Sequence, residues 1–345
     1  MIKILGGGIA GLTAAINLID NNEEVTIYET QQRIGMKFKP NSQLLPNWVS
    51  KEDILTSLRK FKIKINWKTK IEFLDIYSPN LKHKAEIFAD ERPIGYTLTR
   101  GGNNSFECYL AKQAKKKGVD IITNFKNKID ADIIATGPKY QEGLAYGGVL
   151  KGKFDKSKAI ILFDYNLAPG GYIYFLPHSQ KLATIALAMR RWNNPQTQFN
   201  KLKEHSLFKK IFLSSEILYN FSGIANGTIK KIPKTAKLED SLLVGEAACF
   251  QDNAYGFGMR YAIISGYLAS KSILEGSDYD DLWKNAILNE LKRTRMIRLA
   301  LDKVNNSFLN KLVAKIGKKS IGELTDIWTS KKRLAFYYFK ALIKR

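Results

Sequence analysis

The first 29 residues, MIKILGGGIAGLTAAINLIDNNEEVTIYE, limit the architectures open to this chain more than any other stretch. Ile2 to Leu5 reads as a short buried strand that runs into Gly6-x-Gly8-x-x-Gly11, and Leu12 to Ile19 follows with helical periodicity. A second apolar run, Val25 to Tyr28, ends on Glu29, 18 residues after Gly11. Strand, glycine turn, helix, strand and acid in this order are what a dinucleotide site requires. Gly6 permits the tight turn, Gly8 lets backbone approach a pyrophosphate, and Gly11 lets the helix pack on the strand. The open N–H groups at the helix start, around Ile9 and Ala10, face the anion. Glu29, with Thr30 beside it, is placed to accept the adenosine ribose hydroxyls. A carboxylate there, in place of an arginine, argues for FAD or NAD over a 2′-phosphorylated nucleotide.

The chain has 345 residues, 45% hydrophobic and 25% charged, which suits an ordinary globular chain of about two domains. Cys108 and Cys249 are the only cysteines, so a disulfide framework is ruled out and a reducing cytoplasm is expected. With His83, His178 and His205 at these spacings they assemble no metal site. Residues 1–29 read as a folded βαβ start and not as a secretory leader. No window reaches ~18 uninterrupted apolar residues, so no transmembrane helix is expected. The formal charge of +23 points to an anionic partner surface, phospholipid or nucleic acid.

After Glu29, Arg33 is within reach of the dinucleotide phosphates, and residues 36–50 read as a polar loop with two prolines. Ser50 to Phe61 has helical periodicity, with Ser50 as N-cap. Two β-rich runs around Ser78-Pro79-Asn80 predict a hairpin over 71–88, and 95–100 is another extended run ending on Arg100. Phe106 to Gly118 reads as an amphipathic helix closed by glycine. Val119–Thr123 and Asp132–Ala135 read as strands, the second entering Thr136-Gly137, small residues that let backbone approach a ligand. Runs at 160–164, 170–177 and 183–189 are antiparallel-sheet material, and 196–218 looks helical. A last strand, Ser241–Val244, enters Gly245-Glu246-Ala247 and, through Gly256, Gly258 and Met259, a second phosphate-friendly helix start.

Early and late motifs in this order resemble the geranylgeranyl reductase family of FAD proteins. The matching stretches are GGGIAGLTAAINL (6–18), IYSPN (76–80), GYTLTRGGNNSFECYLAKQAKKKGV (95–119), ATG (135–137), GGYIYFLP (170–177) and GEAACFQDNAYGFGMRYAIISGYLAS (245–270). The resemblance implies an α/β (mixed α+β) fold: a Rossmann-type, glutathione-reductase-like FAD domain, an inserted antiparallel-sheet substrate domain and a helical C-terminus. The boundaries expected are 1–62, 96–150 and 235–280 for FAD binding, 63–95 and 151–234 for substrate, and 281–345 for a basic helical region. It further implies reduction of C=C bonds in a polyprenyl lipid or diphosphate by hydride from reduced flavin. Glu246 stands where the family has Asp to hold the ribityl hydroxyls, Tyr174 where it has Trp, and His178 where Lys is common. Loop 36–50 lacks the family's Cys-Gly segment, and Cys249 replaces a Gly.

Saturating an isolated alkene needs a hydride on one carbon and a proton on the other, in a dry, aromatic-lined pocket. Tyr172 and Tyr174, on one face of a strand, are the candidates for that wall, and His178 for the proton donor. Arg100 is a candidate to steady the FAD. No second GxGxxG serves NAD(P)H, so the electron donor, NAD(P)H or a ferredoxin-like protein, is external. From 285 to 345 fifteen Lys and Arg stand against four Asp and Glu, a net of +11, interleaved with Trp328 and Phe336–Phe339. That pattern suits an anionic bilayer surface; a cytoplasmic protein, peripherally bound to the inner face of the membrane, and a monomeric state are expected. Two other readings stay open: an FAD monooxygenase, and an RNA-binding flavoprotein whose tail grips phosphates, nucleic acid being the less expected partner.

Overall fold

The computed structural model describes residues 1–139, 141–225 and 232–330. The last part of the expected basic C-terminal region, 331–345, lies outside the described residues.

Among the described residues the strands form three sheets. The first grows from β1 (Ile2–Leu5), whose isoleucines pair in parallel with β2 (Val25–Tyr28) on one side and β9 (Ile133–Ile134) on the other. β8 (Asp120–Ile122) continues beyond β2, and β16 (Ser241–Leu243) beyond β9, with β15 (Lys237–Leu238) antiparallel at that edge. A sheet started at residue 2 is therefore completed by residues near 240. Ile4, Ile27 and Ile133 are fully buried at its centre. α1 (Ile9–Ile19) lies against α3 (Phe106–Lys116) and α6 (Met259–Glu275). Gly266 makes the α1–α6 contact possible, since a Cβ there would stand 2.3 Å from the Ala10 carbonyl oxygen.

The second sheet is mostly antiparallel, in the order β14 (Glu216–Ala225), β10 (Gly143–Lys151), β13 (Leu182–Met189), β12 (Tyr172–Pro177), β11 (Lys158–Leu162), β5 (Phe73–Tyr77), β6 (Lys84–Phe88) and β17 (Lys318–Ser320). The pairs β11–β5 and β17–β6 are parallel. β5 and β6 form the hairpin expected over 71–88. β10, which the sequence reading left at the end of the nucleotide segment, pairs along its whole length with β13 and β14 and so belongs to this sheet. Residues 196–218 are helical only in part: α4 (Pro195–Glu204) and α5 (Ser206–Leu213) are followed at 216 by β14. Phe199, Leu202 and Phe208 of these helices are fully buried in the core that includes Leu150, Ile185 and Leu187 of the sheet.

A small third sheet joins the other two: β3 (Asn41–Pro46), β7 (Gly95–Arg100) and β4 (Lys70–Ile71). The expected polar loop 36–50 thus contains a strand. Asn41, Ser42 and Gln43 give it no local β signal; it is held by pairing with β7 and by Ser42 N–H, which donates to Thr184 Oγ1 at 2.9 Å. α2 (Ile54–Arg59) starts three residues later than expected. Its N-cap is Asp53, which accepts from Leu55 N at 2.9 Å, whereas Ser50 donates to the Glu52 carbonyl. Asp53 prevails because its carboxylate also takes bonds from Asn47 Nδ2 and Tyr96 OH, both at 2.8 Å.

The C-terminal helices are α7 (Tyr279–Trp283), a π-helical turn Lys284–Leu288, α8 (Asn289–Leu301), α9 (Asn306–Ile316) and α10 (Ile321–Thr329), the last opened by a Ser320/Glu323 capping box. Tyr279, Trp283, Ile287 and Leu291 are buried, and Arg260 on α6 meets Glu290 at 2.6 Å.

Candidate functional site

The parallel sheet ends in a cleft. β1 stops at Leu5, and Gly6 turns the chain with φ +111°; a Cβ there would stand 2.4 Å from the Ala135 carbonyl oxygen. Gly11 is pressed against the same turn, 2.2 Å from Gly6 O in the same sense. Gly8 differs: no atom lies within 4 Å of where its Cβ would be, and it borders a cavity of about 440 Å³. A side chain at Gly8 would fill that cradle. The N-termini of α1 and α6 carry no side-chain cap bond at Gly8 and Gly258, and Ile9, Ala10, Gly258 and Met259 border the cavity. Two uncapped helix starts on one cavity favour an anionic ligand.

Glu29 is fixed where the motif requires it. Its Oε2 accepts from Gly7 N and its Oε1 from Gln31 N, both at 2.8 Å, with Thr30 Oγ1 at 3.3 Å. Across the cleft, Glu246 Oε1 accepts from Gln251 Nε2 at 3.1 Å. Gly245, Thr136, Gly137 and Gly256 border the cavity as well. Arg100 does too, paired with Glu107 at 2.5 Å and lying over the Phe38 ring at 5.5 Å. Arg33 is exposed and Ala247 sits in the turn behind Glu246; neither is on the cavity wall. The cradle at Gly8, the carboxylate at 29 and the facing acid at 246 fit a flavin adenine dinucleotide, which would span from one helix start to the other.

The cavity continues into a chamber against the second sheet. Tyr172 and Tyr174 stand on its wall with ring centroids 6.2 Å apart, as the two-residue spacing on β12 predicts. Tyr172 OH donates to the Tyr255 carbonyl at 2.6 Å. Trp48 meets Phe257 edge-on at 5.6 Å, and both line the cavity. Burial pushes both tyrosine hydroxyls far above the ordinary phenol range, so they remain protonated and are poor acids.

His178 is not on the wall. It follows β12 and shares a 2.7 Å hydrogen bond with Thr184 Oγ1, the atom that also accepts from Ser42 N. Burial, and then the Lys68 charge, press its pKa down to about 4, so it is neutral at pH 7. The group that sequence reasoning missed is Asp252. It borders the chamber and is 3% exposed. Its Oδ1 accepts from Ala254 N at 2.7 Å and Tyr255 N at 2.9 Å. Burial pushes its pKa up to about 7, aided by the Glu290 carboxylate and opposed by those backbone bonds and by Arg293. The signal lay in the quoted stretch GEAACFQDNAYGFGM, but nothing local tells that this acid is dry. Arg190 and Arg298 also reach the chamber and had no sequence signal.

Comparison with known proteins agrees with the fold. Residues 4–51 match the family model described as an NAD(P)-binding Rossmann-like domain. Digeranylgeranylglycerophospholipid reductase 2 of Methanothermobacter thermautotrophicus is 23% identical, over 94% of this chain and 94% of that protein. A digeranylgeranylglycerophospholipid reductase of Thermoplasma volcanium is 20% identical over 99% of this chain and 94% of its own. The crystal structure of a geranylgeranyl bacteriochlorophyll reductase-like protein from Thermoplasma acidophilum superposes with a TM-score of 0.77, covering 99% of this chain and 95% of that one at 18% identity. The resemblance is borne out by relatives of these names that cover 94–99% of this chain.

Proposed function

We propose, from the premise that this chain is an FAD-dependent oxidoreductase related along its length to the geranylgeranyl reductases, that it adds hydrogen across the C=C bonds of a polyprenyl lipid or diphosphate. The observation that carries this reading is one cavity that runs from the Gly8–Glu246 cleft into an aromatic chamber. Glu29 would hold the ribose, the start of α1 the pyrophosphate, and Glu246 with the start of α6 the flavin end. When bound and reduced, the flavin supplies the hydride.

The rest falls to the chain's own residues. Tyr172, Tyr174 and Trp48 offer an apolar bed and π faces to a carbon that becomes electron-poor, at about 0.5–2 kcal/mol per ring. Asp252 holds the proton for the second carbon, in place of His178, and regains it from solvent. Its pKa near 7 keeps a large fraction protonated at neutral pH, so turnover falls as pH rises through about 7. We read 1–62, 96–142 and 235–280 as the flavin-binding part, and 63–95 with 143–225 as the substrate part. A lipid substrate makes peripheral attachment to an anionic membrane surface useful, and electrons come from an external donor. The test is turnover of the FAD-loaded protein on geranylgeranyl lipids with dithionite as donor. A product heavier by about 2 mass units per bond is expected; unchanged lipid, or an oxygenated product with NAD(P)H and air, contradicts it.

A further inference from the structure

Two arginines border the chamber that the proposed chemistry does not use. Arg190 follows β13, and Arg298 stands on the inner side of α8. Arg298 is 2% exposed. Its Nη2 lies 2.9 Å from Asp302 Oδ1 and its Nη1 reaches the Ala254 carbonyl only at 3.4 Å. Its Nε is buried with no hydrogen-bond partner among the described residues. Arg190 Nη1 donates to the Glu142 carbonyl, and its Nε too is buried and unpartnered.

The two guanidiniums are matched in number by the Asp302 and Glu142 carboxylates, but among the described residues neither acid forms an ion pair with Arg190. Burial and the neighbouring Arg298 disfavour the cationic form of Arg190, and the Asp302 and Glu142 carboxylates offset this only in part, so its pKa is lowered. Of the two acids, Asp302 is already engaged by Arg298. A buried guanidinium with an unmet donor is costly unless something completes its shell. The same cavity is also lined by Tyr172, Tyr174 and Met189, apolar and aromatic. A ligand with an apolar chain and an anionic end matches both parts.

We propose that Arg190 and Arg298 form an anion subsite that seats the phosphate or diphosphate of a prenyl substrate while its chain lies along Tyr172 and Tyr174. This rests on reading the chamber as the substrate's. The shared chemistry is a phosphoryl group, whether esterified to the chain or free. The test uses FAD-loaded protein, so that the nucleotide cleft is filled, and follows flavin absorbance and thermal midpoint with three probes: farnesyl diphosphate, farnesol and inorganic pyrophosphate. Farnesyl diphosphate should bind at least about tenfold tighter than farnesol, the scale of one charge-assisted pair. Arg190→Gln and Arg298→Gln should erase that preference and leave farnesol binding unchanged; Arg190→Lys should keep part of it. Should Arg298→Gln fail to fold, Arg190→Gln decides alone. Equal binding of alcohol and diphosphate, a preference that survives Arg190→Gln, or pyrophosphate binding as tightly as the prenyl ester would each overturn the subsite. Binding is read without turnover, so an anion preference in a protein that never reduces lipid counts against the reductase reading only.

Discussion

At the residue scale, two buried titrating groups pull stability in opposite directions over nearly the same pH range. Asp252 has a folded pKa of about 7 against an ordinary 3.8. Its folded form holds the proton longer than the unfolded chain does, so its contribution to stability is lost as pH rises from about 4 to about 7. His178 is depressed to about 4 from 6.5, so its contribution is present above about 6.5 and lost as pH falls towards 4. Each is worth a few kcal/mol at most, at 1.36 kcal/mol per unit, and the wild-type profile conceals both. Asp252→Asn should therefore gain stability over wild type at pH 8 relative to pH 5, and His178→Asn should gain it at pH 5 relative to pH 8. Urea unfolding of the three proteins at both pH values decides; parallel profiles would mean that neither group is dry. Gly8 gives a second prediction. The space beside it belongs to the cavity, so Gly8→Val should fold with a near-native thermal midpoint yet lose FAD affinity by more than about tenfold, roughly 1.4 kcal/mol. Bound flavin per chain after reconstitution measures this, and a fully yellow variant would count against the cradle.

Elements made of neighbouring residues were legible in the sequence, and those made by distant pairing were not. β1, α1 and β2 arise within 28 residues, so Gly6, Gly8, Gly11 and Glu29 fell where the motif puts them. β3 has no such local cause; its register comes from Asn41↔Arg100 through Pro46↔Gly95, and a strand pinned from outside reads as a loop. Which sheet β10 enters is unreadable locally for a related reason, since only its pairing with β13 and β14 decides it. α2 shows how tertiary bonds choose a cap. Ser50 and Asp53 are both competent, but Asp53 is also gripped by Asn47 and Tyr96. Asp53 carries a desolvation cost that those hydrogen bonds outweigh, and its pKa is lowered. Asp53→Ala removes the cap, leaves Tyr96 OH without its acceptor and takes from Asn47 Nδ2 one of its two, the Pro93 carbonyl remaining, which should cost about 1–3 kcal/mol. Thermal unfolding measures it, beside Ser50→Ala as the control that should cost little; equal losses would reverse the assignment.

At the scale of the whole molecule, charge and cavity have to be read together. The chain carries +23, and α8 turns Met296 and Leu299 outwards, 70% and 39% exposed, while Arg298 on its other side borders the chamber. α8 thus meets both solvent and chamber, and among the described residues no helix is long and apolar enough to cross a membrane; the proposed membrane attachment is tested on this face. Vesicles with anionic lipid should therefore bind the protein at low salt and release it as salt shortens the ~8–10 Å screening length; Met296→Glu should weaken this without altering FAD content. Binding unaffected by salt would place the contact elsewhere. The cavity itself joins residues from the first strand to α8, which is why its cleft was readable from motifs and its far wall was not. The decisive measurement is an anaerobic single turnover: FAD-loaded protein is reduced with one equivalent of dithionite, mixed with geranylgeranyl lipid, and followed by flavin absorbance and lipid mass together. Reduction of the prenyl chain requires one flavin reoxidised for each bond saturated; flavin that stays reduced beside unchanged lipid contradicts it.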